Sequence, residues 1–259
     1  MATEVYPWQI GHWQRIVSSR AAGRLPHAIL LCGPAGLGKA HFARRLAEAL
    51  VCTQPHGDGD ACGSCGSCRL SRAGSHPDLH WVAPEEPGKM IKIDAVRELT
   101  AKSVLSAQAG GYRVFVLDPA EAMNRSAANA LLKTLEEPAS RSVLILVSSH
   151  PDRLPATIRS RCQALKFMIP SAEQVRGWLG SRLEDGDLER LLAVSGGAPL
   201  RALQAREEGW IEEGQRLIGE LHALKTRRSN PLQIVEELSL IHISEPTRPE
   251  LVSRMPSSA

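Results

Sequence analysis

The chain has 259 residues, 43% of them apolar and 23% charged, with a formal charge of +3. That length holds one large domain or two smaller ones, in the proportions of an ordinary soluble globular protein. No apolar run is long enough to span a membrane, and so small a charge does not by itself argue for nucleic acid.

Aromatic residues make up 4% of the chain, so the core must rest on Leu, Ile, Val and Ala. Residues 1–14 carry Glu4, Pro7 and His12 and lack the apolar stretch of a secretory signal, so a cytoplasmic location is expected. A buried strand is expected over 27–32 (HAILLC), followed by a glycine-rich turn and a helix over 40–51. A short strand is expected over 79–83, a helix over 93–102 with Asp94 near its start, and a second buried strand over 112–118 (YRVFVLD). Residues 124–137 read as an amphipathic helix, with Ala127, Leu131, Thr134 and Leu135 on one face. Asn124 or Ser126 caps its start and Pro138 ends it. A third buried strand covers 141–148 (RSVLILVS). Apolar strands without alternation, separated by helices, imply a parallel sheet covered on both faces. After Leu165 only helices are expected, over 172–183, 188–194, 200–207, 211–224 and 231–238, with a break at Gly196-Gly197-Ala198-Pro199. The last twenty residues hold Pro246, Pro249 and Pro256 and lose helical periodicity. Within them, 239–249 (SLIHISEPTRP) resembles a translated sequencing adapter, so the natural chain is expected to continue differently after about Leu238.

The turn after the first strand, Gly33-Pro34-Ala35-Gly36-Leu37-Gly38-Lys39, fits the phosphate-loop pattern G-x-x-x-x-G-K between a strand and a helix. Gly33, Gly36 and Gly38 let backbone N–H groups converge on phosphate oxygens, and Lys39 would reach the outer phosphates. Ala40 stands where a working loop has the Ser or Thr that ligates magnesium. The second strand ends in Asp118, an acidic position suited to holding a metal. Pro119 follows, where ATPases of this type carry the Glu that polarises water. Glu121 is out of register and reads as a solvated loop residue. Binding of ATP or ADP therefore stays open, but hydrolysis within the chain is not expected.

Cys52, Cys62, Cys65 and Cys68 give C-x9-C-x2-C-x2-C in a small, turn-rich segment. Four thiolates with no open position suit structural Zn²⁺. A redox motif or a small disulfide loop is the other reading. Cys32 and Cys162 read as buried spectators. Ser160-Arg161-Cys162 follows the third strand, where an arginine can reach a neighbour's nucleotide or make a surface salt bridge.

These pieces together resemble the clamp-loader branch of the AAA+ family. The resemblance rests on the phosphate loop, the four-cysteine insert, His76-Pro77-Asp78, the run NALLKTLEEP at 129–138 and LPATIRSRC at 154–162. It covers about residues 1–238. Within that branch the damaged ATP site is similar to that of the non-hydrolysing subunit of the bacterial DNA polymerase III loader. The resemblance implies an α/β AAA+ core over 1–165, with a parallel five-stranded sheet and a zinc module at 52–68. A small helical lid follows over 166–206, and a helical collar begins at 207–238 and is truncated. Residues 239–259 fall outside it as a non-native or disordered tail. The implied partners are gamma/tau and delta subunits, with the sliding clamp and primer-template DNA reached through the complex. Arg161 would enter the ATP site of the adjacent gamma/tau subunit. Arg201 matches the place of a phosphate-sensing arginine, and a lid surface role is the other reading.

Three other readings compete. An active gamma/tau-type ATPase would need a hydroxyl at position 40 and Glu at position 119. A DNA-binding zinc module would need basic or aromatic residues among its ligands, whereas Arg69 and Arg72 lie just outside them. A branch-migration motor would not account for the cysteine insert.

Overall fold

The computed structural model describes residues 5–179 and 185–225. Five strands form one sheet: β1 (Ala28–Cys32), β2 (Leu79–Val82), β3 (Arg113–Leu117), β4 (Ser142–Ser148) and β5 (Gln163–Lys166). All pairings are parallel, in the order β2-β3-β4-β1-β5. β1 is flanked on both sides, with Ala28 opposite Leu144 and Leu31 opposite Leu165. Every residue of β1, β3 and β4 is buried. This explains their unbroken apolar runs, because alternate residues face opposite sides and both sides are covered.

One face presents Ile29, Leu31, Val114, Val116 and Ile145 to α1 (Ile10–Ala21) and α2 (Lys39–Val51), through Trp13, Ile16, Phe42, Leu46 and Leu50. The other presents Leu30, Phe115, Leu117, Leu144 and Leu146 to α4 (Ile93–Ser103) and α5 (Arg125–Glu136), through Val96, Leu99, Leu131 and Leu135. Asn124 caps α5, its Oδ1 accepting from the Ala127 amide at 2.8 Å. Such a cap contributes about 1 kcal/mol.

Four elements were not foreseen from the residues: α1, α3 (Gly66–Arg72), the helical turn before β5, and β5 itself. β5 is an edge strand with only Leu165 turned inward, so its sequence carries no apolar run. α3 begins within the small, turn-rich cysteine segment, where composition hides a helix. A one-turn helix, α6 (Ala156–Arg159), precedes β5.

Beyond the sheet, α7 (Ala172–Leu179), α8 (Asp185–Val194) and α9 (Pro199–Glu207) bury Val175, Leu179, Leu188, Leu191, Ala202 and Ala205 in a separate small core. α10 (Trp210–Lys225) adds Trp210 and Ile211 to it. The expected extension of α7 to 183, the helix over 231–238 and the tail at 239–259 lie outside the described residues. No described helix is long and apolar enough to cross a membrane.

Candidate functional site

The phosphate loop leaves the carboxyl end of β1 and enters α2, whose first residue is Lys39. Crevices beyond the strand ends of a parallel sheet are where such folds bind ligands. Here the loop is closed by its own chain. Lys39 is 5% exposed. Its ammonium donates to the Gly33 carbonyl at 2.7 Å, the Pro34 carbonyl at 2.6 Å and the Ser149 hydroxyl at 3.1 Å. An ammonium has three donors, so all three are engaged. Trp8 and Gln9 donate to the Leu37 carbonyl at 3.0 and 2.9 Å, and Gln9 also donates to that of Gly38 at 2.9 Å. From the helical unit, the Leu200 amide donates to the Gly36 carbonyl at 3.1 Å. Gly36 has φ +77°, and a Cβ there would lie 2.7 Å from that of Arg201. Only glycine permits both that conformation and that approach. The Arg201 guanidinium turns away onto the Trp210 ring, 5.5 Å from its centroid.

Burial pulls the Lys39 ammonium down to about 8, against the opposing pull of Glu121 and Asp118. Burial, then the Glu121 carboxylate, pushes Asp118 up to about 6. The cleft therefore sets one buried cation among two carboxylates. Glu121 is not the solvated loop residue that its register suggests. Its Oε1 accepts from the Ser149 and His150 amides at 2.9 and 3.2 Å, and its Oε2 is buried without a hydrogen-bond partner. Glu121 lies in the 3-10 turn Ala120–Ala122 that follows Pro119, and its carboxylate meets the chain just past the end of β4. Ala40 is exposed and offers only a methyl.

The first thiol, Cys52, sits at the other end of α2 as its C-cap. The four sulfurs of Cys52, Cys62, Cys65 and Cys68 all lie within 4.8 Å of one another. The Cys52–Cys62, Cys52–Cys65 and Cys62–Cys68 sulfurs are 3.6, 3.9 and 3.9 Å apart. A tetrahedral ion with metal–sulfur bonds of about 2.3 Å has sulfur–sulfur edges of about 3.8 Å, so the arrangement fits one. The amides of Cys62, Cys65 and Cys68 donate to the sulfurs of Cys52, Cys62 and Cys65 at 3.3 to 3.4 Å, which favours thiolates. None of the six cysteines is in a disulfide, so a disulfide loop is not what is built here. The insert is pinned to the core. Arg45 on α2 meets Asp60 through two bonds of 2.6 Å and stacks 3.7 Å over the Trp13 ring, and Trp13 donates to the Asp58 carbonyl at 3.1 Å.

The His76-Pro77-Asp78 motif is structural. His76 pairs with Ser67 of α3 at 3.1 Å. Asp78 accepts from the Gln108 and Ala109 amides and from Arg113. It thereby joins the insert to β3 through an ion pair whose side chains are 1% and 3% exposed.

Arg161 belongs to neither cluster. It follows α6, with its side chain 36% exposed, its Nη1 donating to the Thr157 carbonyl at 2.9 Å and its Nη2 paired with Glu136 at 2.7 Å. Cys32 is buried and Cys162 half-buried. Burial pushes the Cys162 thiol up to about 12, so it is unreactive.

The structure thus brings Gly33, Gly36, Gly38, Lys39 and Asp118 to one cleft, the four cysteines to a second cluster, and leaves Arg161 on a third edge. Sequence reasoning missed Ser149, Gln9 and the role of Glu121. None of the three had a signal in the sequence, since each contact joins segments at least 28 positions apart.

A family described as DNA polymerase III, delta subunit, matches residues 8–171. The DNA polymerase III subunit delta-prime of Pseudomonas aeruginosa is 45% identical over 220 residues, covering 83% of this chain and 65% of that relative. That of Escherichia coli is 39% identical over 201 residues, covering 76% and 60%. The chain therefore spans somewhat less than two thirds of the length of these two relatives. A RuvB structure from Thermotoga maritima shares the fold, with a TM-score of 0.50 and 15% identity over 93% of this chain and 72% of that one. The cysteine insert, the phosphate loop with Ala40 in place of a hydroxyl residue, and these matches agree: the chain belongs to the delta-prime subunit family of bacterial DNA polymerase III.

Proposed function

We propose that this chain is the non-hydrolysing member of a clamp loader. It supports ATP-dependent loading of the sliding clamp onto primed DNA, and supplies Arg161 to the ATP site of an adjacent gamma/tau subunit. One observation carries the reading. All three donors of Lys39 are spent inside the chain, next to an Ala40 without a hydroxyl and a Pro119 without a carboxylate. Phosphoryl transfer is carried by positioned cations and a residue that orients water. This cleft keeps one cation, already engaged, and lacks the magnesium hydroxyl. The same two losses argue against an active gamma/tau-type ATPase.

In this reading Arg161 places its guanidinium against the neighbour's transferring phosphoryl group and stabilises charge developing there. The partners are gamma/tau and delta subunits, with clamp and primer-template DNA met through the assembly in the cytoplasm. The four cysteines hold Zn²⁺, which supplies only a cross-link, because no coordination position is left for water. The core runs over 1–165, the lid over 166–206 and the start of the collar over 207–238. ATP or ADP, where bound at all, would displace the Lys39 bonds.

The test combines two assays. The purified chain should show no ATP turnover, and robust turnover would sink the proposal. In a loader reconstituted with gamma/tau and delta subunits, Arg161→Ala should lower clamp-dependent ATPase. An unchanged rate would remove the finger from the reading.

A further inference from the structure

The surroundings of Arg161 contain a contradiction of local rules. Glu136 and Glu137 close α5, at the end where the helix dipole disfavours carboxylates and favours cations. Lys133 alone in that last turn obeys the preference. Departures from local preference without a packing reason tend to mark functional positions. Glu136 has no packing reason, since its side chain is 51% exposed. What it does have is Arg161, at 2.7 Å from its Oε1. The second anchor is the Thr157 carbonyl, 2.9 Å from Nη1, within the one-turn helix α6. The two contacts grip the two terminal nitrogens of the guanidinium. A free arginine side chain is among the most mobile in rotamer terms, so a two-point grip fixes a direction it would otherwise lack. The grip leaves the group 36% exposed, with donors still able to face another molecule.

We infer that Glu136 is a positioning residue for Arg161. It holds the guanidinium in the orientation in which it meets the neighbour's nucleotide, while touching neither nucleotide nor water itself. The inference rests on the reading of Arg161 as a finger. The reaction served is hydrolysis at the neighbour's site. A water oxygen bonds to the terminal phosphorus, the bond to the bridging oxygen breaks, and ADP leaves with that electron pair. The proton of the water passes to the neighbour's own base. Orientation matters because a group pre-placed for the transition state lowers the barrier without reorganising during the reaction. A merely electrostatic role would run the other way, since a carboxylate beside a finger dilutes its positive charge.

The experiment compares Glu136→Gln, Arg161→Ala and the double variant in the loader reconstituted with gamma/tau and delta subunits. Glu136→Gln should lower the clamp-dependent kcat at the completed site by roughly two- to fivefold, the range expected from an exposed ion pair, and leave KM for ATP unchanged. Arg161→Ala should cost more, and the double variant no more than Arg161→Ala alone. If Arg161→Ala lowers kcat and Glu136→Gln does not, the positioning role is overturned and the finger stands. If Arg161→Ala has no effect, finger and positioning fall together. Additive losses would mean that Glu136 acts apart from Arg161, which also overturns the inference. A second measurement needs no assembly. In the isolated chain the order parameter of the Arg161 Nε–H vector should fall in Glu136→Gln, and an unchanged value overturns the grip itself.

Discussion

The two ends of α2 carry the two most recognisable motifs of the chain, and they are built on opposite plans. At the amino end, Lys39 is buried with every donor satisfied by the chain's own carbonyls and a hydroxyl. At the carboxyl end, Cys52 begins a set of four sulfurs at tetrahedral spacing, with amides arranged to favour thiolates. One site has turned inward and satisfied itself, and the other sets four sulfurs at the spacing of a metal site. A motif therefore does not fix a role. What separates the two is whether the functional atoms keep free valence once the fold has formed. Lys39 has the sequence position of a ligand-binding group and the bonding of a structural one.

The largest effect should come from the cysteine end. Cys65→Ser, or removal of the metal by a strong chelator, should lower the stability of the chain by several kcal/mol. Metal binding free energy is folding free energy in such modules, on the order of 10 kcal/mol in isolated zinc peptides. The Arg45–Asp60 pair and the Trp13–Asp58 bond hold the insert independently, so the loss should be smaller than that figure. Calorimetry with and without chelator checks it, and an unchanged unfolding temperature would break the contrast between the two ends. Next comes Lys39→Met. It leaves the Gly33 and Pro34 carbonyls without their donor and two carboxylates without their cation. The expected loss is about 3 kcal/mol in denaturant unfolding, the scale of breaking a buried charged network from one side. A neutral result would return Lys39 to a ligand-binding role.

Much of this was legible from the residues. The apolar runs around Leu30, Phe115 and Ile145 gave the central strands, and Asn124 capped α5 as its position allows. The cysteine spacing announced its cluster. The phosphate loop announced its shape and, at Ala40 and Pro119, the absence of a hydroxyl and a carboxylate. What the residues hid is long-range. Nothing near Lys39 in sequence shows that Ser149, 110 positions on, accepts from it. Glu121 looked like surface because register along one strand cannot show that the end of β4 lies beside it. β5 was hidden because an edge strand buries one residue in two at most, and here only Leu165.

A smaller effect isolates the carboxylate of the inward-turned end. Asp118 is raised from an ordinary 3.8 to about 6. The folded chain therefore holds a proton that the unfolded chain has released between those values. Its contribution is full below 3.8 and is lost as pH rises through 6. Other carboxylates run the opposite way, Asp78 among them, so the difference between wild type and Asp118→Asn is the quantity to follow. From pH 4 to pH 7 the variant should gain about 2 kcal/mol relative to wild type. A flat difference would mean that Lys39 fully compensates the buried charge.

The smallest expected change in stability is at Arg161. Its partner Glu136 is half exposed and so is Arg161 itself, and ion pairs of that kind contribute about 0.2 to 1 kcal/mol. Arg113, paired with Asp78 at 3% and 1% exposure, is the internal control, since removing one member of a buried pair costs about 3 to 5 kcal/mol. Arg161→Ala should therefore unfold within about 1 kcal/mol of wild type, whereas Arg113→Ala should be severely destabilised. That separation gives the ATPase assay its force. A loss of clamp-dependent turnover in Arg161→Ala then cannot be assigned to a damaged fold and must come from what the guanidinium meets outside the chain. If instead Arg161→Ala proves as unstable as Arg113→Ala, the arginine is structural, and the third edge joins the phosphate loop as a motif turned to the fold's own use.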